Sequence, residues 1–271
     1  MTVPTSQQPQ PLPQSATSRL TSSRQGQACF TSNLSVNEFV LTGQAGFEPL
    51  GLVMGTSVYH IGIQSSRWSV SQELPVLSQA MYHARELAMA RMESEADALG
   101  ADGVVGVQLR PLDYAFSPEV VEFVAVGTAV KAIGGGSFRT ASGRPFTAMM
   151  SGQELWTLRQ HGWIPRGLVL GLCVYHVAHL SFRQALQAAG QNTELGTYTE
   201  AVYDAREIAM ARMQYEAQLL GADGVVGVDV QEASWIWGEH AIEYLALGTA
   251  VSRVGTDDSQ VVPTFTLPLT S

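Results

Sequence analysis

Cys173, His176 and His179 bring a thiol and two imidazoles within seven residues, ligand types that suit zinc and other borderline metals. On a turn the three would converge on one mononuclear site. On a strand they would not, because residues an odd number apart point to opposite faces, and Cys173 and His176 are three apart. His60 occupies the position that matches His176, each directly after a tyrosine. In a strand it shares a face with Leu52, Met54 and Val58, so it reads either as a ligand for a divalent metal ion or as a packed imidazole with one hydrogen bond. The remaining candidates are ionic. Arg91 and Glu95, with Arg212 and Glu216, fall on the apolar side of a helical wheel beside Ala84, Ala88 and Leu99, where charges must be paired or lie at an interface. Glu122 and Glu243 each interrupt an apolar strand, either as partners for these arginines or as a ring of charge around a central channel. All six are expected in ion pairs at interfaces.

No Ser-His-Asp set, phosphate loop, HExxH or paired-acid motif accompanies these residues. No catalytic residue is assigned, and the chain reads as a non-enzyme. Asp102 and Asp223, each followed by glycine, suit a turn in which aspartate accepts backbone hydrogen bonds. Tyr114, Phe116, Trp235 and Trp237 fall at loop tips and mark a surface for a protein partner. A net charge of −9 argues against nucleic acid and against an anionic membrane surface. No apolar run reaches the roughly 18 residues that a membrane span needs, and Cys29 and Cys173 form no disulfide framework. The expected location is the cytoplasm. Only 14% of residues are charged and 45% are hydrophobic, which suggests apolar surface buried between domains or subunits.

The elements that must position these residues occur twice. Ala80 to Val107 and Ala201 to Val228 are the same 28-residue block, identical at 21 positions and 121 residues apart. Leu34–Ile61 aligns with Met150–Val177 at a spacing of 116, and Glu122 and Gly127–Val130 align with Glu243 and Gly248–Val251. A repeat of this size is a duplicated domain rather than a solenoid turn. The expected division is a disordered tail over 1–32, a domain over 33–133, a flexible glycine-rich linker over 134–148, a second domain over 149–254 and a tail over 255–271. The N-terminal tail is Pro, Gln, Ser and Thr with almost nothing to bury, although PQPLPQ could bind a partner as a polyproline helix.

Each unit reads as a short amphipathic helix (35–45 in the first copy), a strand (52–61), a long helix (74–99) closed by Gly100, and two strands (103–110 and 119–131). The order β-α-β-β gives an α+β fold, an antiparallel sheet with one long helix on a face. Phe123, Ala125, Gly127 and Ala129 form one face of the last strand and would let the helix lie close. Val120, Val124, Val126 and Val130 form the other. One helix cannot cover both faces, so the second must meet another sheet or subunit.

A long helix carrying AREIAMARM, then LGADGVVGV, then a strand ending in GTAV resembles the YbjQ-like family, which carries a heavy-metal-binding label. The resemblance covers about 51–131 and 167–253. It implies a dodecin-like fold whose sheets assemble into a ring, commonly of five subunits, and implies little about activity. Duplication sets this chain apart from the family. Chains of two domains cannot fill a five-domain ring without a remainder, so the expectation is a homo-oligomer of five two-domain chains in two tiers.

Overall fold

The computed structural model describes residues 11–60, 70–113, 120–136, 138–178, 196–234 and 241–254. In chain order the elements are α1 (Gln14–Arg24), α2 (Val36–Gln44), β1 (Phe47–His60), β2 (Gln72–Glu73), α3 (Pro75–Leu99), β3 (Gly103–Asp113) and β4 (Val120–Ala132). They continue as β5 (Phe146–Thr147), α4 (Gly152–Gln160), β6 (Trp163–His176), α5 (Gly196–Leu219), β7 (Gly224–Ser234) and β8 (Ala241–Arg253). Each unit opens on a reciprocal cap. The Ser35 hydroxyl accepts the Glu38 N–H while Glu38 accepts the Ser35 N–H, and Ser151 and Glu154 repeat this at α4. Proline at the first turn and left-handed Gly100 at the end bound α3.

The sheets have the orders β1-β4-β3-β5 and β2-β6-β8-β7. In each, the three long strands of one unit pair antiparallel and one helix of that unit, α3 or α5, lies across them. Each sheet is completed by a two-residue strand from the other unit. β5, just ahead of the second domain, adds parallel to β3, and β2, just ahead of α3, adds antiparallel to β6. β1 starts five residues earlier than its hydrophobic run suggests, at the fully buried Phe47. Pro49 does not stop it, because β1 is an edge strand and its ladder is bulged between Pro49 and Gly51.

Two glycines set the distance between helix and sheet. A Cβ added to Gly55 would lie 2.1 Å from the Ala88 carbonyl oxygen, and one on Gly171 would lie 1.8 Å from the Ala209 carbonyl oxygen. The helix backbone rests on the strand, with Ala84, Ala88, Phe123 and Ala125 sealed around it in the first unit. Asp102 and Asp223 close the turn after each helix by accepting the N–H of Ala132 and Arg253, at 2.9 and 2.8 Å.

Three regions differ from the reading of the sequence. Gln14–Arg24, inside the segment expected to be disordered, is a helix, held by buried Leu20 and by Arg19 on Glu95. Part of the expected flexible linker is β5, and Arg139 within it reaches Asp97 and Asp102. The second apolar face, expected to meet another sheet or subunit, is covered in the second sheet by the helix α3 of the first unit. The first two rest on long-range contacts of which local composition carried no trace.

Gly171→Ala is expected to lower stability by about 2–3 kcal/mol, since a buried methyl cannot be accommodated without moving α5. Gly43→Ala, in α2 with nothing within 4 Å of the added Cβ, is expected to raise it by about 0.5–1 kcal/mol. Denaturant titration of the two variants checks both signs.

Candidate functional site

The feature that joins the two units is the seam along α3. One apolar cluster runs from Val53, Phe123 and Ala125 on the first sheet, through Met81, Ala88 and Met92 on α3, to Leu170, Leu172, Val174, Leu245 and Leu247 on the second sheet. The helix is therefore buried on two sides, whereas α5 buries little beyond the stripe Ala201, Ala205, Ala209, Met213 and Ala217.

Polar groups fix the register of the seam. The Leu74 N–H donates to the Val174 carbonyl at 2.8 Å, and the Val174 N–H donates to the Ser78 hydroxyl at 2.9 Å. One helical turn on from Met81, Arg85 is buried and pairs with Glu243 of β8, its guanidinium 4.4 Å above the Phe123 ring. Burial pulls the Arg85 pKa below its ordinary value, and the charge of Glu243 and its hydrogen bond pull it back. A second ion pair crosses between the units at the sheet edge. Arg212 of α5 meets Glu73 of β2 at 2.7 and 3.1 Å and donates to the Leu172 carbonyl at 2.6 Å.

The helix charges singled out from the sequence share a local task. Arg91 donates to the Thr56 carbonyl, and Glu95 accepts the Met54 N–H at 2.9 Å. In the second unit Arg212 takes the Leu172 carbonyl and Glu216 the Leu170 N–H, at 2.6 and 2.8 Å. Each Arg/Glu set thus satisfies outward backbone groups of the first long strand of its unit, where an unpaired edge would otherwise be exposed. Arg91 and Glu95 do not pair with each other; Glu95 meets Arg19 of α1 at 2.5 Å. Glu216 has no cation beside it among the described residues. Its burial pushes the carboxyl up to about 7, against the smaller opposing pull of the Leu170 N–H. Glu122 lies half-buried on β4, in register with Val58. Glu243 stands in register with Val174.

The metal-ligand candidates are not brought together. Cys173 is sealed in the core beneath α5, with Val169, Ala205 and Ala209, and burial, with Glu73 adding, pushes its thiol up to about 12. A thiol held protonated is a poor ligand for a metal that needs the thiolate. His176 is buried on the opposite face of β6, with Nδ1 3.2 Å from the Val70 carbonyl oxygen. His60 is exposed on β1, and His179 lies outside the described residues. Among the described residues no three His, Cys, Asp or Glu side chains gather as a metal site would require. Among the described residues, Cys173 and His176 do not converge on a mononuclear metal centre. Tyr114, Phe116, Trp235 and Trp237 also lie outside the described residues.

Arg85, Glu73 and Arg19 were not legible as site residues from the sequence. Arg85 had one available signal. It recurs as Arg206 in the duplicated block, and with Ser78 and Met89 it forms a second stripe at helical spacing.

Arg85→Ala is expected to cost about 3–5 kcal/mol by stranding buried Glu243, whereas Arg85→Met with Glu243→Leu is expected to recover most of it. Chemical denaturation of the two variants reads the difference. Glu216 generates a pH dependence of known sign. Its folded pKa of about 7 lies above the ordinary 4.5, so the folded state holds the proton more tightly and this contribution fades as pH rises from 4.5 through 7. Glu216→Gln is expected to leave the melting temperature unchanged near pH 4.5 and to raise it at pH 8, as thermal scans at both pH values would show.

A family described as "Putative heavy-metal-binding" matches residues 39–133 and 166–254, once in each unit. The encapsulin nanocompartment protein Rv1762c of Mycobacterium tuberculosis is 49% identical over 243 residues, 89% of this chain and 92% of that protein. A UPF0145 protein of Pseudothermotoga lettingae is 42% identical over 88 residues, which are 31% of this chain and 78% of the relative. UPF0145 protein TTHA1944 of Thermus thermophilus is 52% identical over 58 residues, 21% of this chain and 49% of its own length. None of these three names denotes an enzyme. With both units matched and the tandem order kept across nearly the whole of one relative, the chain belongs to the YbjQ family as a two-domain member.

Proposed function

We propose that this chain is a non-enzymatic, self-assembling scaffold of the cytoplasm, a component of an encapsulin-type nanocompartment. The observation that carries the reading is the seam, in which a helix is buried between two sheets by apolar surface, a register-setting backbone pair and a buried ion pair. Such construction joins units in series. The name of the 49% identical mycobacterial protein supports the compartment role. No helix among the described residues is long and apolar enough to cross a membrane, which accords with a cytoplasmic assembly. Five two-domain chains are the expected count. Because the two units of one chain are neighbours through the seam, the ring holds an even number of units and two separate tiers are not required.

Native mass spectrometry of protein purified without chelators tests this reading. The expected spectrum is one closed oligomer of five chains with no added mass. A single-chain mass at every concentration would overturn the scaffold. A different closed number would overturn the count alone. Metal in simple ratio to chains, lost in His60→Ala or His176→Ala, would replace scaffold by metal binding as the function.

A further inference from the structure

The seam inside the chain has a polarity. The first unit offers α3 and a cleft beside β3, and the second unit offers the outer face of its sheet and its leading segment, β5 with α4. The same surfaces exist at the two ends of the chain, where nothing described covers them. We propose that they meet: the second unit of one copy receives the first unit of a second copy, head to tail, in the manner of the internal seam. This inference rests on the assembly reading and names its surfaces.

Matched positions, 116 residues apart ahead of the long helix and 121 apart from that helix onward, differ in exposure. Leu155 of α4 is fully buried against Phe47, Val105 and Phe146. Its counterpart Phe39 is 43% exposed. Phe146 is fully buried, with its ring so close over Gly103 that an added Cβ there would lie 2.1 Å from it; its counterpart Phe30 is 46% exposed. On the receiving side, Val105 is fully buried and its counterpart Val226 is 39% exposed. Gly224, the counterpart of Gly103, has nothing within 4 Å of an added Cβ. Phe30 and Phe39 are thus aromatic plugs without a socket, and the second unit has the socket without its plugs.

The socket is an open cleft of about 760 Å³ lined by Met150, Glu154, Leu158, Trp163, Val226 and Gly227. Its floor matches the floor that β5 and α4 cover in the first unit. The edge of β3 that faces the seam takes hydrogen bonds from and gives them to the incoming segment, with Ala148 N–H to Val104 O at 2.9 Å and Gly106 N–H to Met150 O at 2.9 Å. β7 ends its sheet and presents the same edge. The incoming segment is also held ready in both units. Asn33 N–H reaches the Thr128 hydroxyl at 3.3 Å, as Met149 N–H reaches the Thr249 hydroxyl at 3.1 Å.

The helix-to-sheet half of the seam repeats the pattern. Val174, buried by α3, corresponds to Val58, which is 58% exposed, and buried Leu170 corresponds to exposed Met54. Arg85 corresponds to Arg206, which lies partly exposed over the Tyr203 ring beside Glu207. Glu243 corresponds to Glu122 on the first sheet. In the assembled state Arg206 of one copy meets Glu122 of the next. Not every position matches: Thr56 stands where Leu172 packs in the internal seam. Val36 stands where Gly152 lies against the Glu38 carbonyl, so α2 and α4 sit about one side chain further apart between copies than within one. Such an interface is heterologous and closes into a ring when the rotation permits.

Three substitutions of the full chain test the proposal, with native mass and size-exclusion chromatography over a concentration series as readouts and circular dichroism as the control for folding. Gly224→Leu fills the socket in open space, so it is expected to leave the single chain folded and to shift the oligomer to single chains. Phe39→Asp is expected to do the same. Arg206→Glu is expected to dissociate the oligomer, and Arg206→Glu combined with Glu122→Arg to restore it. Folded variants of Gly224 and Phe39 that keep the wild-type mass would overturn these surfaces while leaving self-assembly standing. A wild-type chain that is monomeric throughout would overturn both.

Discussion

Everything in this architecture depends on one helix having two dry sides. α3 lies across its own sheet and against the sheet of the other unit, so the two domains share a single apolar cluster. The side of the helix that meets the second sheet has little room for charge, yet it carries Arg85. The guanidinium is tolerated because Glu243 and the Phe123 ring meet it there. Buried pairs of this kind add little net stability and strongly penalise any arrangement in which they separate. Together with Ser78 and Leu74 on the Val174 backbone, the pair selects one register from the several that an apolar seam alone would allow.

The second constraint is proximity. Gly55 and Gly171 bring each helix backbone onto its strand, near enough for arginine and glutamate side chains of the helix to reach the outward amides and carbonyls of that strand. A long β-edge is thereby occupied by its own helix and closed to indiscriminate pairing. The two copies solve the neutralisation of the glutamate differently. In the first, Arg19 of α1 lies against Glu95. In the second, Glu216 keeps only its backbone donor among the described residues, and its proton affinity rises accordingly.

Much of the fold was legible because it is local. The short helix from position 35, the left-handed Gly100 and the alternation in β4 each announce themselves within a few residues. The duplication was equally plain. The seam was legible only as a deficit, a strand with two apolar faces and one helix to cover them. That a helix would cover the second face could not be read, because Ser78, Arg85 and Met89 resemble the solvent side of an ordinary amphipathic helix. α1 was hidden for a related reason. Its composition has little to bury, and a single leucine and a single arginine fix it. Among the metal candidates, Cys173 and His176 are near in sequence and are divided by the plane of their own strand, as residues an odd number apart on a strand must be.

The exchange of β2 and β5 has a consequence for how the molecule comes apart. Each sheet carries a strand belonging to the other domain, so neither can leave without stripping the edge of its neighbour and unseating α3. The covalent tether of 134–145 keeps the partners of the internal seam at an effective concentration of roughly millimolar or above. Dilution therefore acts on whole chains and never on half-chains. Fusion has turned one of every two joints into a permanent hinge pin, and has released its residues from having to serve any other partner.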